Sequence, residues 1–182
     1  GGAASVLLQK APAAYEVLND LNGDVVNFFR VLRQQPRDLI RAIKLTPWSR
    51  QEFDDAARPT DDSLERARRF MVRCWQSHAG GGLTHWQTGW RYQRSKRSNK
   101  PAVLTWGEMD HLWAVVARLK RVQIEHDDAF EVIRRFDTPQ TLFYVDPPYV
   151  ADTRSKWAGK MYPHELDDDG HRALADALRQ VE

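Results

Sequence analysis

Apolar residues recur along the chain at helical spacing, and short β-compatible runs that end in polar residues separate them. Residues 14–18 predict a strand, and residues 21–35 predict a helix with Asp24 near its N-terminus. The apolar face of that helix comprises Val25, Val26, Phe28, Phe29 and Leu32. A second amphipathic helix is predicted over residues 37–45, and the Thr-Pro pair at 46–47 ends it.

The middle of the chain is predicted to be helical first and irregular afterwards. Ser49, followed three residues later by Glu52, matches a capping box that begins a short helix. Residues 63–76 predict a long arginine-rich helix, in which Cys74 is a packing residue. Residues 79–100 are mainly glycine and polar residues, so we expect a long loop of the kind that is functional or disordered in compact domains.

Strands and helices alternate in the last part of the chain. The pattern predicts a helix over 106–120, a strand at 122–124, a helix over 130–136, a buried strand at 141–145 and a helix from Asp167. This alternation favours an α/β fold with a parallel sheet. We therefore expect residues 1–44 and 108–182 to form two parts of one domain, with residues 45–107 as a helical and loop insertion.

Composition excludes several classes of protein. The 182 residues are 42% hydrophobic and 29% charged, which is ordinary for a folded domain with a core. No apolar run approaches the ~20 residues of a membrane span, and one cysteine excludes a disulfide framework or a cysteine zinc cluster. His126, His164 and His171 match no metal-ligand spacing, so we expect no metal. A reducing, intracellular compartment fits this composition.

The net charge of +2 hides a strongly basic stretch over residues 66–100. The stretch contains no acidic residue and nine basic ones: Arg66, Arg68, Arg69, Arg73, Arg91, Arg94, Lys96, Arg97 and Lys100. Trp75, Trp86, Trp90 and Tyr92 lie among them, and this mixture suits a polyanion whose bases stack on aromatic rings. The alternative is an ordinary solvated surface, with the tryptophans packed beneath a loop.

Acidic residues follow three of the predicted strands: Asp20, Asp128 and Asp146. Ligands of open α/β sheets bind outside the carboxyl ends of the strands, so these carboxylates are expected to line one crevice. The alternative for each of them alone is a turn or a helix cap.

The tetrapeptide Asp146-Pro147-Pro148-Tyr149 is the most specific chemical signal in the chain. Two consecutive prolines remove two backbone donors and fix the backbone in a rigid corner. The Asp146 carboxylate and the Pro147 carbonyl can then converge as two acceptors beside the ring of Tyr149. This arrangement suits the exocyclic amine of a nucleic-acid base.

Residues 141–149, TLFYVDPPY, resemble motif IV of the Dam-type DNA adenine N6-methyltransferases, a class often found in phages and restriction systems. Residues 1–8 resemble the end of the glycine-rich cofactor loop of that family, and residues 17–22 resemble its second cofactor motif. Residues 162–166 and the helix from His171 resemble the segment after its catalytic loop. The similarity runs essentially from end to end.

The resemblance implies a Rossmann-like S-adenosylmethionine-dependent methyltransferase fold with a mostly helical target-recognition insertion. It implies methyl transfer to the N6 amine of adenine in double-stranded DNA after base flipping. The implied catalytic residues are Asp146, Pro147, Pro148 and Tyr149, and the implied cofactor-binding residues are Gly1, Gly2, Asp20, Asp128 and Ala129. The expected DNA-binding residues are Arg73, Trp86, Trp90, Arg91, Arg94, Lys96, Arg97, Lys100 and Arg154.

Other functions stay open at this point. N4-cytosine methylation is the nearest alternative because the two amines are chemically alike, although the leading Asp of the tetrapeptide favours adenine. Methylation of a protein glutamine would leave the basic stretch without a role. A non-catalytic DNA-binding relative or a truncated fragment is the alternative from another class.

The family pattern also predicts that the chain is the middle of a longer enzyme. Gly1 and Gly2 lie where the cofactor loop should be under way, and Glu182 lies where a further strand should begin. We therefore expect the full-length protein to be the enzyme and this piece to bind cofactor weakly or not at all. A monomer in the cytoplasm of a bacterial or phage-infected cell is expected.

Overall fold

The computed structural model of the chain describes residues 4–78, 89–92, 102–150 and 164–181. In these ranges the elements are α1 (Ser5–Gln9), β1 (Val17–Asn19), α2 (Gly23–Gln34), α3 (Pro36–Leu45), α4 (Arg50–Asp55), α5 (Ser63–Gln76), α6 (Ala102–Thr105), α7 (Leu112–Leu119), β2 (Gln123–Glu125), α8 (Ala129–Phe136) and α9 (Asp168–Arg179). Strands β1 and β2 pair in parallel, with Val17 opposite Gln123 and Asn19 opposite Glu125. A connection that contains helices joins them, as parallel strands require.

Helix α2 lies at the centre of the hydrophobic core. Asn22 caps its N-terminus, where the side chain accepts a hydrogen bond from the Asp24 amide at 2.9 Å. The helix packs against α3, α5, α7 and β2. Phe28 contacts Phe29 and Phe70, with ring centroids 5.5 and 5.6 Å apart. The predicted helix and its apolar face are thus confirmed.

Helix α5 spans the residues predicted for it and packs against α2, α3 and α4. Its buried residues Ala67, Phe70 and Val72 belong to the same core as those of α2. Part of the predicted insertion therefore shares one hydrophobic core with residues before it. Cys74 packs against this core, as predicted, and burial raises the pKa of its thiol to about 12.

The helix predicted over residues 106–120 begins only at Leu112, so that prediction is wrong for its first turns. Trp106 and Met109 are buried, but their side chains reach the core from turns. The Trp106 indole donates to the Thr46 carbonyl at 2.6 Å, which fixes the ring on the end of α3. Apolar spacing alone does not distinguish these turns from a helix.

The capping box predicted at Ser49 is also wrong. The Ser49 side chain makes no capping hydrogen bond, and its backbone amide donates to Gln76 Oε1 at 3.2 Å. Glu52, the other half of the predicted box, accepts from Arg68 at 2.7 Å. A distant glutamine and an arginine from α5 thus replace the local pair.

The buried strand predicted at residues 141–145 is wrong in two respects. The stretch is described, but it forms neither helix nor strand and pairs with neither β1 nor β2. Its exposure alternates, with Leu142 86% and Tyr144 66% exposed. A β-strand needs a neighbour for its backbone hydrogen bonds, and the described sheet provides none for this segment.

The other predicted strands and helices are confirmed to within a few residues, whereas the loop predicted at 79–100 lies outside the described residues except for 89–92. Strands β1 and β2, helices α3 and α8 and the final helix α9 lie where the sequence places them. The Asp167 side chain caps α9 by accepting from the Gly170 amide at 2.8 Å. Within the described ranges, no helix is both long and apolar enough to cross a membrane.

Candidate active site

The carboxyl ends of β1 and β2 are joined by two hydrogen bonds from one side chain. Asn19 Nδ2 donates to the Asp127 carbonyl at 2.9 Å, and Asn19 Oδ1 accepts from the Asp127 amide at 3.0 Å. Just beyond the strands, His126 Nε2 donates to the Leu21 carbonyl at 3.0 Å. These bonds hold the two loops after the strands at one edge of the sheet, where parallel α/β proteins bind ligands.

Asp20 and Asp128, the predicted cofactor contacts, lie in these two loops. Asp20 Oδ1 accepts from the Asn22 amide at 2.8 Å and forms a turn. Asp128 Oδ1 accepts from the Phe130 amide at 2.8 Å and caps α8, whose first residue is Ala129. The turn and cap roles expected as the alternative are therefore present. An ionised carboxylate has about four hydrogen-bond acceptor sites, so a turn or cap role is compatible with a further hydrogen bond to a ligand.

Asp127 lies in the loop after β2, where an ion pair with Arg135 and the hydrogen bonds with Asn19 hold it. Arg135 donates to its carboxylate at 2.7 Å, and the Asp128 amide donates to Oδ1 at 2.9 Å. The Arg135 hydrogen bond is the main reason that the pKa of Asp127 lies below its usual range. Sequence reasoning missed Asn19 and Asp127 as residues that shape the site. The signal was a polar Asn at the end of one strand and a second polar cluster after the other.

The tetrapeptide Asp146–Tyr149 lies beyond α8 in a segment that is neither helix nor strand. Helix α8 ends at Phe136, and a turn follows it. In this turn the Thr141 amide donates to the Thr138 carbonyl at 2.9 Å, and the Thr141 hydroxyl donates to the Phe136 carbonyl at 2.6 Å. Asp146 and Tyr149 are exposed, Tyr149 to 68%, and the two prolines are half-buried.

Two of the three predicted strand-end acids follow strands of the described sheet. Asp20 and Asp128 follow the two strands of the described sheet, whereas Asp146 follows a segment that is not a strand. The prediction that Asp146 follows a strand is therefore wrong in the described part of the chain, and its place beside the other two acids stays a prediction.

The arginines of α5 are paired with acids that lie outside the basic stretch. Arg66 and Arg73 both donate to Asp24, each at 2.6 Å. Arg68 pairs with Glu52 and Glu65, and Glu65 also accepts from Arg69 at 2.7 Å. The hydrogen bond from Arg68 is the main reason that the pKa of Glu65 is lowered. Much of the charge counted in the sequence is thus neutralised within the fold.

Two of the predicted DNA contacts, Trp90 and Arg91, lie in the described segment 89–92. Trp90 is half-buried, pairs with Ser77 in an antiparallel bridge, and has the Arg50 guanidinium 4.9 Å from its ring centroid. Arg91 is exposed. Eight further predicted site residues lie outside the described ranges: Gly1, Gly2, Trp86, Arg94, Lys96, Arg97, Lys100 and Arg154.

The part of the chain that the structure describes contains no arranged metal-binding site. Within those ranges, no group of three or more His, Cys, Asp or Glu side chains is placed to share a metal ion.

In a comparison with protein families, the chain matches the D12 class N6 adenine-specific DNA methyltransferases over residues 1–182. A search of curated proteins gave no match. The family match confirms the resemblance carried by the tetrapeptide, and with it the predicted activity and the predicted class of enzyme. DNA is the substrate of this family, and such enzymes generally use S-adenosylmethionine. The chain belongs to the D12 class N6 adenine-specific DNA methyltransferase family.

Proposed function

We propose that Asp146, Pro147, Pro148 and Tyr149 are the catalytic residues with which this protein methylates adenine N6 in double-stranded DNA. The observation that supports this most strongly is the exposure of both Asp146 and Tyr149 in a chain of this family. A base inside a duplex is out of reach of an enzyme, so the target adenine must flip out and meet accessible groups.

In this proposal the tetrapeptide positions the adenine amine and stabilises it electrostatically for methyl transfer. The adenine amine is a poor nucleophile because its lone pair is delocalised into the ring. The Asp146 carboxylate and the Pro147 carbonyl accept hydrogen bonds from its two N–H groups and direct the lone pair outward. As the nitrogen gains the methyl group, one N–H proton is released to Asp146 and then to water. Tyr149 stacks on the base and orients it, and no covalent bond to the protein is required.

S-adenosylmethionine fits the edge at which β1 and β2 end. When bound, it supplies the electrophilic methyl group. The carboxylates of Asp20 and Asp128 suit its hydroxyl and amino groups as hydrogen-bond acceptors, and the Asn19–Asp127 hydrogen bonds hold the two loops together. We propose that Asp20, Asp128 and Ala129 hold the cofactor with Gly1 and Gly2, in a Rossmann-like arrangement.

Residues 45–107 are proposed as the target-recognition region. The proposed DNA contacts are Trp86, Trp90, Arg91, Arg94, Lys96, Arg97, Lys100, Arg154 and, less directly, Arg73. The Arg73 guanidinium already pairs with Asp24, so a phosphate would compete with that carboxylate. We propose a monomer that acts in the cytoplasm of a bacterial or phage-infected cell.

The experiment that tests the catalytic role compares Tyr149→Ala with Tyr149→Phe, which keeps the ring. Because stacking of a base on an aromatic ring contributes about 1–3 kcal/mol, Tyr149→Ala should lower the rate of methyl transfer by about 10- to 100-fold. Tyr149→Phe should retain most of the rate, and both variants should bind duplex DNA with an unchanged salt dependence. Tyr15→Ala, which removes another exposed tyrosine, is the control. Unchanged transfer by Tyr149→Ala would overturn the assignment.

A further inference from the structure

Gln76, the last residue of α5, is fully buried, yet it is polar. Its Oε1 accepts from the Ser49 amide at 3.2 Å and from the Trp90 indole at 3.3 Å, and its Nε2 donates to the Pro47 carbonyl at 3.0 Å. Its own carbonyl accepts from the Arg91 amide at 2.7 Å. One side chain and one peptide group thus join three separate segments of the chain.

Burying a side-chain amide costs free energy unless its hydrogen bonds are made, so a glutamine at this position calls for an explanation. Gln76 lies one helical turn after the buried Val72, on the face of α5 that packs into the core. An apolar residue of similar size would fill the same space. It would leave an amide, an indole and a carbonyl without their partner.

The segment that Gln76 holds carries an exposed group of basic and aromatic side chains. The rings of Trp90 and Tyr92 are stacked, with centroids 6.4 Å apart and planes 29° from parallel. The Arg50 guanidinium lies 4.9 Å from the Trp90 centroid, and Tyr92 is 51% exposed. A second anchor holds the backbone, since the Trp48 indole donates to the Arg91 carbonyl at 3.1 Å.

We infer that Gln76 is a positioning residue for DNA recognition, which holds residues 89–92 on α4 so that Arg50, Trp90, Arg91 and Tyr92 form one contact surface for duplex DNA. This inference rests on the proposed function. Arg50 lies outside the basic stretch of the sequence and reaches this surface because residues 48–50, at the start of α4, contact residues 90 and 91.

Charge and chemistry select DNA as the occupant of this surface. Arg50 and Arg91 are both exposed, and the chain continues from Tyr92 into Arg94, Lys96 and Arg97. A guanidinium that stacks on an aromatic ring keeps its N–H groups at the rim, where they suit a phosphate. The exposed ring of Tyr92 suits a sugar or a base edge.

The first test compares Gln76→Met with Gln51→Met. Gln51 is an exposed residue of α4 whose amide donates to Asp55 at 3.0 Å, so its replacement controls for the chemical change. We expect Gln76→Met to weaken binding of a labelled DNA duplex by about 10-fold, because an anchoring network is lost. Affinity for S-adenosylmethionine, measured by calorimetry, should change less than about twofold in both variants. Equal losses of DNA and cofactor affinity would indicate a merely structural Gln76 and would overturn the inference.

The second test uses exposed residues, so it does not depend on whether Gln76→Met folds. Arg50→Ala should lower the slope of log affinity for duplex DNA against log salt by about one, as expected for one lost phosphate contact. Arg50→Lys should keep that slope, while its affinity falls because the stacked guanidinium is lost. An unchanged slope and affinity in Arg50→Ala would overturn the inference. The proposed function fails separately, if the unaltered protein forms no N6-methyladenine.

Discussion

Glu16 and Arg118 form a buried ion pair that joins the residue before β1 to helix α7. Two guanidinium nitrogens of Arg118 donate to the two carboxylate oxygens of Glu16. The Glu16 side chain is 2% exposed and the Arg118 side chain 12%. Lys10 also donates to Glu16, and Arg118 donates to the Leu7 carbonyl at 3.1 Å. The cluster thus fixes the segment between α1 and β1, which leads to the loop that holds Asp20.

The pH dependence of stability should report this pair. The hydrogen bond from Arg118 is the main cause that lowers the pKa of Glu16 to about 2, and burial opposes it. A carboxyl whose pKa is lower in the folded state stabilises the fold above its unfolded pKa, and this contribution disappears as pH falls through the folded pKa. Between pH 4.5 and 2, the free energy of unfolding should therefore fall more steeply for the unaltered protein than for Glu16→Gln, by at most about 1.4 kcal/mol per pH unit.

The control for this prediction is Glu131→Gln. Glu131 pairs with Arg134, but their side chains are 48% and 78% exposed, so its removal should leave the pH profile nearly unchanged. Profiles of the same slope for Glu16→Gln and the unaltered protein would contradict the assigned role of Glu16.

Asp24 should matter for stability because it joins α2 to α5. It accepts from both Arg66 and Arg73, and its side chain is 28% exposed. Asp24→Asn should lower the free energy of unfolding by about 1–3 kcal/mol, since the partly buried Arg73 and the more exposed Arg66 lose their counter-charge. Asp169→Asn removes a pair in which both side chains are more than 70% exposed, and it should cost less than about 0.5 kcal/mol. Equal effects of the two substitutions in urea titrations would refute this.

Helix capping gives a contrast between two N-terminal residues. The Asp62 side chain accepts from the Leu64 and Glu65 amides at 2.8 and 3.1 Å, so Asp62→Ala should cost about 1 kcal/mol of stability. Ser49→Ala should cost less than about 0.5 kcal/mol, because the Ser49 side chain caps nothing. Thermal unfolding measures both. A larger loss for Ser49→Ala would mean that the predicted capping box exists.

Asn19 should affect cofactor binding more than DNA binding. Asn19→Ala removes both hydrogen bonds to Asp127 and releases the two loops that carry Asp20 and Asp128. We expect affinity for S-adenosylmethionine, measured by calorimetry, to fall about 10-fold, which corresponds to one or two lost hydrogen bonds. Asn27→Ala is the control, since Asn27 makes its hydrogen bond to Ser63 O, in α5. Equal cofactor affinity in the two variants would argue against the role of Asn19.

Local patterns predicted the helices well because most of them need only an amphipathic face and a cap. Helix α5 matches its predicted bounds, and α2 buries the predicted residues. The errors occur where a distant residue competes with a local one. The Ser49 amide donates to Gln76 and not to Glu52, and the Trp106 indole donates to the Thr46 carbonyl from a turn. The segment at 141–145 has no neighbouring strand in the described sheet.

The candidate site, too, could be predicted from the sequence only in part. The sequence alone was enough to propose the tetrapeptide and the acids that follow β1 and β2 as candidates, because their chemistry can be read from residue type. It did not reveal that Asp24 neutralises Arg66 and Arg73, since the acid lies 42 residues before the first of them in the chain. Charge counted along a sequence does not show which partners folding will supply.

The most direct test of the central claim is mass spectrometry of nucleosides from DNA incubated with the full-length enzyme and S-adenosylmethionine. The unaltered protein should form N6-methyladenine. Asp146→Ala should form almost none, although it still binds duplex DNA and the cofactor. Formation of N4-methylcytosine by the unaltered protein, or N6-methyladenine formed at an unchanged rate by Asp146→Ala, would contradict the account.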